Sequence, residues 1–298
     1  VTRPFALALG GGGARGLAHI VVLETLDALG LRPAMIAGTS MGAILGACYA
    51  AGHSGKQLRA HVAETFRDRT DVMTRLFRAR VGKVTDFLTT ADNPALVDAE
   101  RLLALFLPRR MPDRFEDLDL PFAAVAGDLA GGRTRIFREG PLLPAVAASM
   151  AVPGLVRPVA FGGSLLIDGA VVDPVPFAAV DPSIPLVLAI GVTGAPPDPA
   201  RGRPLKALEV TLGASLIMQH QLTRLRLAGA GERVRLIEAP LPGVAALDFF
   251  GWRKILAAAE PLREAVAAIL TDPGRTPPDP READRSAPDQ SSPVSACP

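Results

Sequence analysis

Two units built alike stand one after the other at the start of the chain, and they constrain its fold more than any other feature. Phe5-Ala6-Leu7-Ala8-Leu9 reads as a buried strand. It runs into Gly10-Gly11-Gly12-Gly13-Ala14-Arg15-Gly16 and then a helix carrying Leu17, Ile20, Val21, Leu23, Leu26 and Leu29. The second unit is apolar over residues 33–37, turns at Gly38-Thr39-Ser40-Met41-Gly42 and is apolar again over residues 43–51. Two strand-turn-helix units side by side call for parallel strands, with both turns opening at the carboxyl edge of one sheet.

The second turn has the form of a nucleophile elbow. A serine hydroxyl is a weak nucleophile, so a fold that uses it holds the Oγ out on a sharp strand-to-helix turn, with Gly38 and Gly42 removing side chains that would crowd it. Ser40 is the candidate nucleophile. Attack on a carbonyl builds negative charge on oxygen, and each preorganised N–H donor there contributes roughly 3 kcal/mol. Gly11, Gly12 and Gly13, with the Met41 amide, are the candidate donors. Gly11, Gly13 and Gly16 also satisfy the GxGxxG dinucleotide fingerprint. That reading wants an acid at the end of the second strand for the ribose, where this chain has Ala37-Gly38-Thr39-Ser40.

The chain has 298 residues, 49% of them hydrophobic, enough for one large core. A net charge of +2, with no basic run interleaved with stacking aromatics, argues against nucleic acid as a partner. Cys48 and Cys297 form no disulfide framework or metal-ligand spacing, so a reducing, cytoplasmic setting is expected. Residues 33–52 carry no charge, but GTSMG splits them into a short strand and a helix, so no transmembrane helix is expected. No signal peptide is evident; the chain begins at Val1 rather than Met, which leaves a removed leader open.

Residues 1–271 read as one catalytic domain, and residues 272–298, rich in Pro, Asp, Arg and Ser, as a disordered tail. Within residues 53–120, basic side chains between His53 and Thr85 outnumber acids by five, with Val72, Leu76 and Phe77 interspersed. The plain reading is a solvated helical face; the sharper one is a helical lid or a peripheral membrane-facing insertion. Asp98 caps a helix over residues 101–106, residues 122–126 and 134–137 form strands about a Gly-rich turn, and a helix covers residues 142–151. A hairpin follows, with strands 159–161 and 164–167, leading into Asp168-Gly169-Ala170. Residues 186–192 and 234–238 read as strands, residues 205–227 as an amphipathic helix, and residues 253–270 as one closing helix. This alternation implies an α/β fold, a mainly parallel sheet with helices on both faces. Phe249, Phe250 and Trp252 beside Arg253 and Lys254 suit either a membrane interface or the packing of that last helix.

A serine nucleophile needs a proton acceptor. Of the four histidines, His19, His53 and His61 read as packing or surface residues. His220 completes the chain order Ser, Asp, His of α/β-hydrolases, although Ser40 comes too early for that topology. The alternative is a lone aspartate. Asp168 closes an apolar strand and precedes Gly169, and its neighbours Leu166, Ile167 and Val171 offer the desolvation that would raise its basicity. Asp128 and Asp173 occupy ordinary turn positions and rank below it.

GGGGARG at 10–16, GTSMG at 38–42 and DGA at 168–170 together resemble the patatin-like phospholipase family in content, order and spacing. Ala148-Ser149-Met150-Ala151-Val152-Pro153-Gly154 and Asp173-Pro174-Val175-Pro176 add to the likeness. The resemblance implies a three-layer α/β/α sandwich and a Ser-Asp dyad without histidine that hydrolyses lipid acyl esters, of the phospholipase A or lysophospholipase kind. Ser40 would then be the nucleophile, Asp168 the base, and Gly11 to Gly13 the oxyanion loop, supported by Arg15, Gly16, Gly38, Gly42, Gly169 and Ala170. Arg15 matches the family's basic loop residue; Ala170 stands where many bacterial members have Gly. No metal or organic cofactor is implied, and the expected partner is a lipid ester. An acyltransferase working through the same acyl-serine is the alternative within this chemistry.

Overall fold

The computed structural model of the protein describes residues 3–79, 97–108, 110–193 and 207–271. The tail expected over residues 272–298 lies outside the described residues, as do Arg80 and Lys83 of the basic segment. β1 (Phe5–Leu9) leads through a 3-10 turn, Gly13–Ala18, into α1 (His19–Leu29), and β2 (Met35–Thr39) leads into α2 (Met41–Ala50). α3 (Gly55–Thr65) opens with a capping box in which Ser54 Oγ accepts from the Gln57 amide and Gln57 accepts from the Ser54 amide. α4 (Arg69–Ala79) and α5 (Ala99–Leu103, capped by Asp98) follow.

Next come β3 (Phe122–Asp128), β4 (Arg133–Phe137), α6 (Leu142–Ser149), β5 (Val159–Phe161) and β6 (Ser164–Asp168). β7 (Leu186–Gly191), α7 (Ala207–Ala228), β8 (Val234–Glu238), α8 (Trp252–Ala258) and α9 (Leu262–Thr271) complete the described chain. The closing helix expected over residues 253–270 is two helices, because Pro261 has no amide to donate and its ring clashes with the preceding turn. Trp252 is buried at the start of α8, and Phe249 stacks on Phe66 with ring centroids 5.7 Å apart. This cluster packs the last helices against the main core.

The strands pair in the order β5-β6-β3-β2-β1-β7-β8, with β4 also on β3. β3, β2, β1, β7 and β8 are mutually parallel; β4, β5 and β6 are antiparallel to their partners. The register along β3 decides where the chemistry falls. β4 takes one edge of β3 over residues 124–128, so β2 and β6 must share the other. β2 pairs there up to Thr39↔Val125, and β6 comes down the same edge to Asp168↔Ala126. The two strands therefore meet end to end, and Ser40 and Asp168 are the residues at the junction.

Alternation within the strands separates the layers. Leu7, Leu9, Ile36, Leu188 and Ile190 face α1, α2, α6, α8 and α9 in the main core, where full burial of each large side chain contributes about 2 kcal/mol. Ala6, Ala8, Ala37, Ala123 and Ala189 face the other way, where small side chains let Val175, Phe177 and Val180, with Leu227 of α7, lie close on the sheet. The result is the three-layer α/β/α arrangement. α7 departs from the amphipathic pattern expected of it, since it buries Leu216 and Thr223 yet leaves Val210, Ile217, Met218 and Leu225 exposed. No described helix is long and apolar enough to cross a membrane.

Candidate active site

The elbow backbone is strained in the way a protruding serine requires. Ser40 has φ 55° and ψ −123°, a region that non-glycine residues rarely occupy. The turn tolerates no side chain at Gly42, where a Cβ would lie 2.1 Å from the Leu9 carbonyl oxygen. The Ser40 amide donates to Ser149 Oγ at 2.9 Å, and that hydroxyl donates to the Val125 carbonyl at 2.6 Å. Ser149 is fully buried, so this two-bond strut fixes the elbow against β3.

Ser40 Oγ donates to Asp168 Oδ2 at 2.7 Å. The other carboxylate oxygen accepts from the Ala170 amide at 2.8 Å, which sets the rotamer of Asp168. Both side chains are buried. Burial pushes the Asp168 carboxyl up to about 6, against the opposing hydrogen bonds from Ser40 and Ala170. A carboxylate so placed is a better proton acceptor than one in water and is still mostly ionised at neutral pH.

The glycine loop lies beside this pair, as the parallel register of β1 and β2 dictates. The candidate oxyanion amides of this loop and of the elbow are not equivalent. The Gly11 N–H, expected to face the oxyanion, is engaged by the Pro174 carbonyl at 2.9 Å, which corrects that assignment. This bond ties the loop to the segment after Asp168. Gly12, Gly13 and Met41 have amides with no acceptor among the described residues. Gly13 adopts φ 58°, and a Cβ there would sit 2.2 Å from the Ala246 carbonyl oxygen.

Arg15 turns inward, not toward solvent. Its Nε donates to the Val244 carbonyl at 2.8 Å and its guanidinium also donates to the Thr193 carbonyl, so it pins the loop to the chain beyond β7 and β8. Burial lowers its pKa from the usual arginine value. His19 supports the same loop by donating from Nε2 to the Gly10 carbonyl at 2.8 Å. Complete burial pushes the imidazole down to about 4, so it stays neutral. The roles of His19 and Ser149 were missed in the sequence. Ser149 does fall within the ASMAVPG stretch, but nothing there signals a bond to residue 40.

No imidazole reaches Ser40. His220 sits on α7 outside the cleft lining, with no hydrogen bond to Ser40 or Asp168, and His61 bonds the Phe106 carbonyl at 3.1 Å. Asp128 serves its turn, accepting from the Gly131 amide at 2.9 Å and from Ser164 Oγ at 3.0 Å. Asp173 pairs with Arg226 of α7 at 3.4 Å, and burial pushes its carboxyl up to about 6 despite that cation. The cleft over Ser40 and Asp168 is walled mainly by apolar side chains, Val152, Leu155, Val171, Leu212, Leu216 and Leu247, with Ser215 and Gln219 of α7 adding a polar pair, the Gln219 amide donating to Ser215 Oγ at 3.0 Å. Among the described residues, no group of three or more His, Cys, Asp or Glu side chains is placed to hold a metal ion.

Comparison with known proteins places these features in context. An uncharacterized NTE family protein of Mycobacterium tuberculosis is 37% identical over 197 residues, covering 66% of this chain and 51% of that protein. Patatin-like phospholipase domain-containing protein 6 of Homo sapiens is 32% identical over 174 residues, covering 57% of this chain and 12% of that protein. The chain thus spans about half the length of the mycobacterial relative and a much smaller part of the human one. Among solved structures, VipD from Legionella pneumophila is similar with a TM-score of 0.46 at 13% identity, over 90% of this chain and 67% of that one. The patatin-like phospholipase model matches residues 7–181, a span that runs from β1 through the glycine loop, the elbow and the Asp168 turn. The chain belongs to the patatin-like phospholipase family.

Proposed function

We propose that the protein is a lipid acyl-ester hydrolase in which Ser40 and Asp168 act as a dyad. The observation that carries this reading is the 2.7 Å bond between Ser40 Oγ and Asp168 Oδ2 at the base of an apolar cleft, with no imidazole at the hydroxyl. Asp168 takes the hydroxyl proton as Oγ forms a bond to the ester carbonyl carbon. The carbonyl oxygen becomes an oxyanion, held by the Gly12, Gly13 and Met41 amides, whose orphaned N–H groups sit at the glycine turn and at the start of α2. As the carbonyl re-forms, the alcohol leaves with the proton returned by Asp168, and an acyl-serine remains. Asp168 then takes a proton from water, hydroxide attacks the acyl carbon, and Ser40 regains its proton as the fatty acid departs. Lipid as the ester class is supported by family membership and by the apolar cleft walls. Residues 1–271 form the catalytic unit in this reading.

Ser40→Ala and Asp168→Asn should each lower ester turnover by at least about a thousandfold. A fluorophosphonate should label the wild type and not Ser40→Ala. Free fatty acid should be released in water without an acceptor alcohol; products formed only when an alcohol is added would make the protein a transferase instead. A His220→Ala variant as inactive as the other two would overturn the dyad.

A further inference from the structure

α7 has two apolar sides, and only one is accounted for. Its inward side supplies Leu212 and Leu216 to the wall over Ser40. On the outward side, Val210, Ile217, Met218 and Leu225 recur at helical spacing and fall within about 100° of one another around the axis. All four are exposed, Met218 at 66% and Leu225 at 74%. From residue 210 through residue 223 the helix carries no Asp, Glu, Lys or Arg, an unusual composition for a face in water. Two further half-exposed apolar side chains, Val171 and Leu247, form the rim of the same cleft. Exposed arginine follows at the end of the uncharged run, where Arg224 borders the apolar face.

We propose that this outward face of α7 is the lipid-docking surface of the protein, seating on a bilayer that carries anionic headgroups. The inference deepens the hydrolase reading and rests on it, because the helix that would enter the headgroup region is the one that walls the cleft. Three observations favour lipid over water or a folded partner. The face carries Gln221 among its apolar side chains but none of the charged residues that normally coat a helix. It belongs to the same helix as the cleft wall, and the cleft rim is itself apolar and exposed. Among the described residues, the charge that borders it, Arg224, is cationic, which complements anionic lipid as in interfacial helices. α4 also exposes apolar residues, Met73 and Phe77, but contributes none to the cleft lining.

The test uses the full chain and extruded vesicles of phosphatidylcholine with phosphatidylglycerol, read by co-sedimentation. The wild type should bind them, and the double variant Ile217→Asp with Met218→Asp should partition at least about tenfold more weakly. These side chains point away from the cleft, so turnover of a water-soluble short-chain ester should be unchanged in the double variant, while hydrolysis of vesicle lipid falls with binding. Equal binding by the double variant, or loss of binding on Met73→Asp but not on the α7 substitutions, would overturn the proposal. So would a wild type that stays off vesicles but forms a dimer by light scattering that the α7 substitutions dissociate, since the face would then belong to a second copy. Vesicle binding that depends on Ile217 and Met218, with no turnover of any ester, would instead support the docking surface and overturn the hydrolase reading.

Discussion

At the scale of single residues, the site opposes stability to reactivity. Asp168 has a folded-state pKa of about 6, above the ordinary 3.8, so the folded chain holds that proton more tightly than the unfolded chain does. The stabilisation linked to this group is therefore complete below about pH 4 and is lost as pH rises through 6. In the proposed mechanism activity has the opposite dependence, because Asp168 as base must be ionised. Ester turnover should fall as pH drops through about 6. Asp168→Asn, which cannot ionise, should be more stable than the wild type at pH 8 by on the order of 2 kcal/mol, with the difference vanishing near pH 4. Urea unfolding of both proteins at the two pH values checks this. Ser40, Asp168 and the glycine loop were legible because a glycine-flanked turn at a strand end leaves a short, local pattern. Ser149 was not, because its bond to Ser40 spans 109 residues and depends on a register that no local pattern encodes. The engagement of Gly11 with Pro174 was hidden for the same reason.

At the scale of elements, most strands and the 159–167 hairpin could be read because apolar runs bounded by glycine have few alternatives. The closing helix was misjudged. Its apolar periodicity continues across Pro261, and the break is a matter of backbone sterics instead of hydrophobic pattern. The amphipathic reading of α7 failed differently, since periodicity reports that a helix has a buried face but says nothing of an apolar second face. α7 is anchored to the site by Arg226, which pairs with the buried Asp173 and also donates to the Val172 carbonyl at 2.9 Å. Arg226→Met should leave Asp173 as an unpaired buried carboxylate. The expected cost is about 2 kcal/mol at pH 8, discounted for the partial exposure of Arg226, shrinking by pH 5 as Asp173 takes up a proton. Thermal unfolding at both pH values measures it. An equal loss at both would mean that Arg226 acts through its packing.

At the scale of the whole molecule, the decisive event is the meeting of β2 and β6 along one edge of β3. β1 and β2 are near neighbours in sequence, whereas β6 docks only once β3 is in place, and such non-local pairing is slow. Trp252, the only tryptophan, becomes buried when α8 docks on the main core and so reports the assembly of that layer. During refolding from urea, fluorophosphonate labelling of Ser40 should appear no earlier than the recovery of Trp252 fluorescence. Labelling in a burst before it would show that the hydroxyl becomes reactive before that layer has assembled.

The end-to-end junction also bears on synthesis. Ser40 emerges from the ribosome 128 residues ahead of Asp168, its hydrogen-bond partner. At roughly 5–20 residues per second, the growing polypeptide spends on the order of ten seconds carrying the serine without that partner. If the proposed dyad is the catalyst, an unfinished chain that lacks Asp168 cannot hydrolyse esters during synthesis.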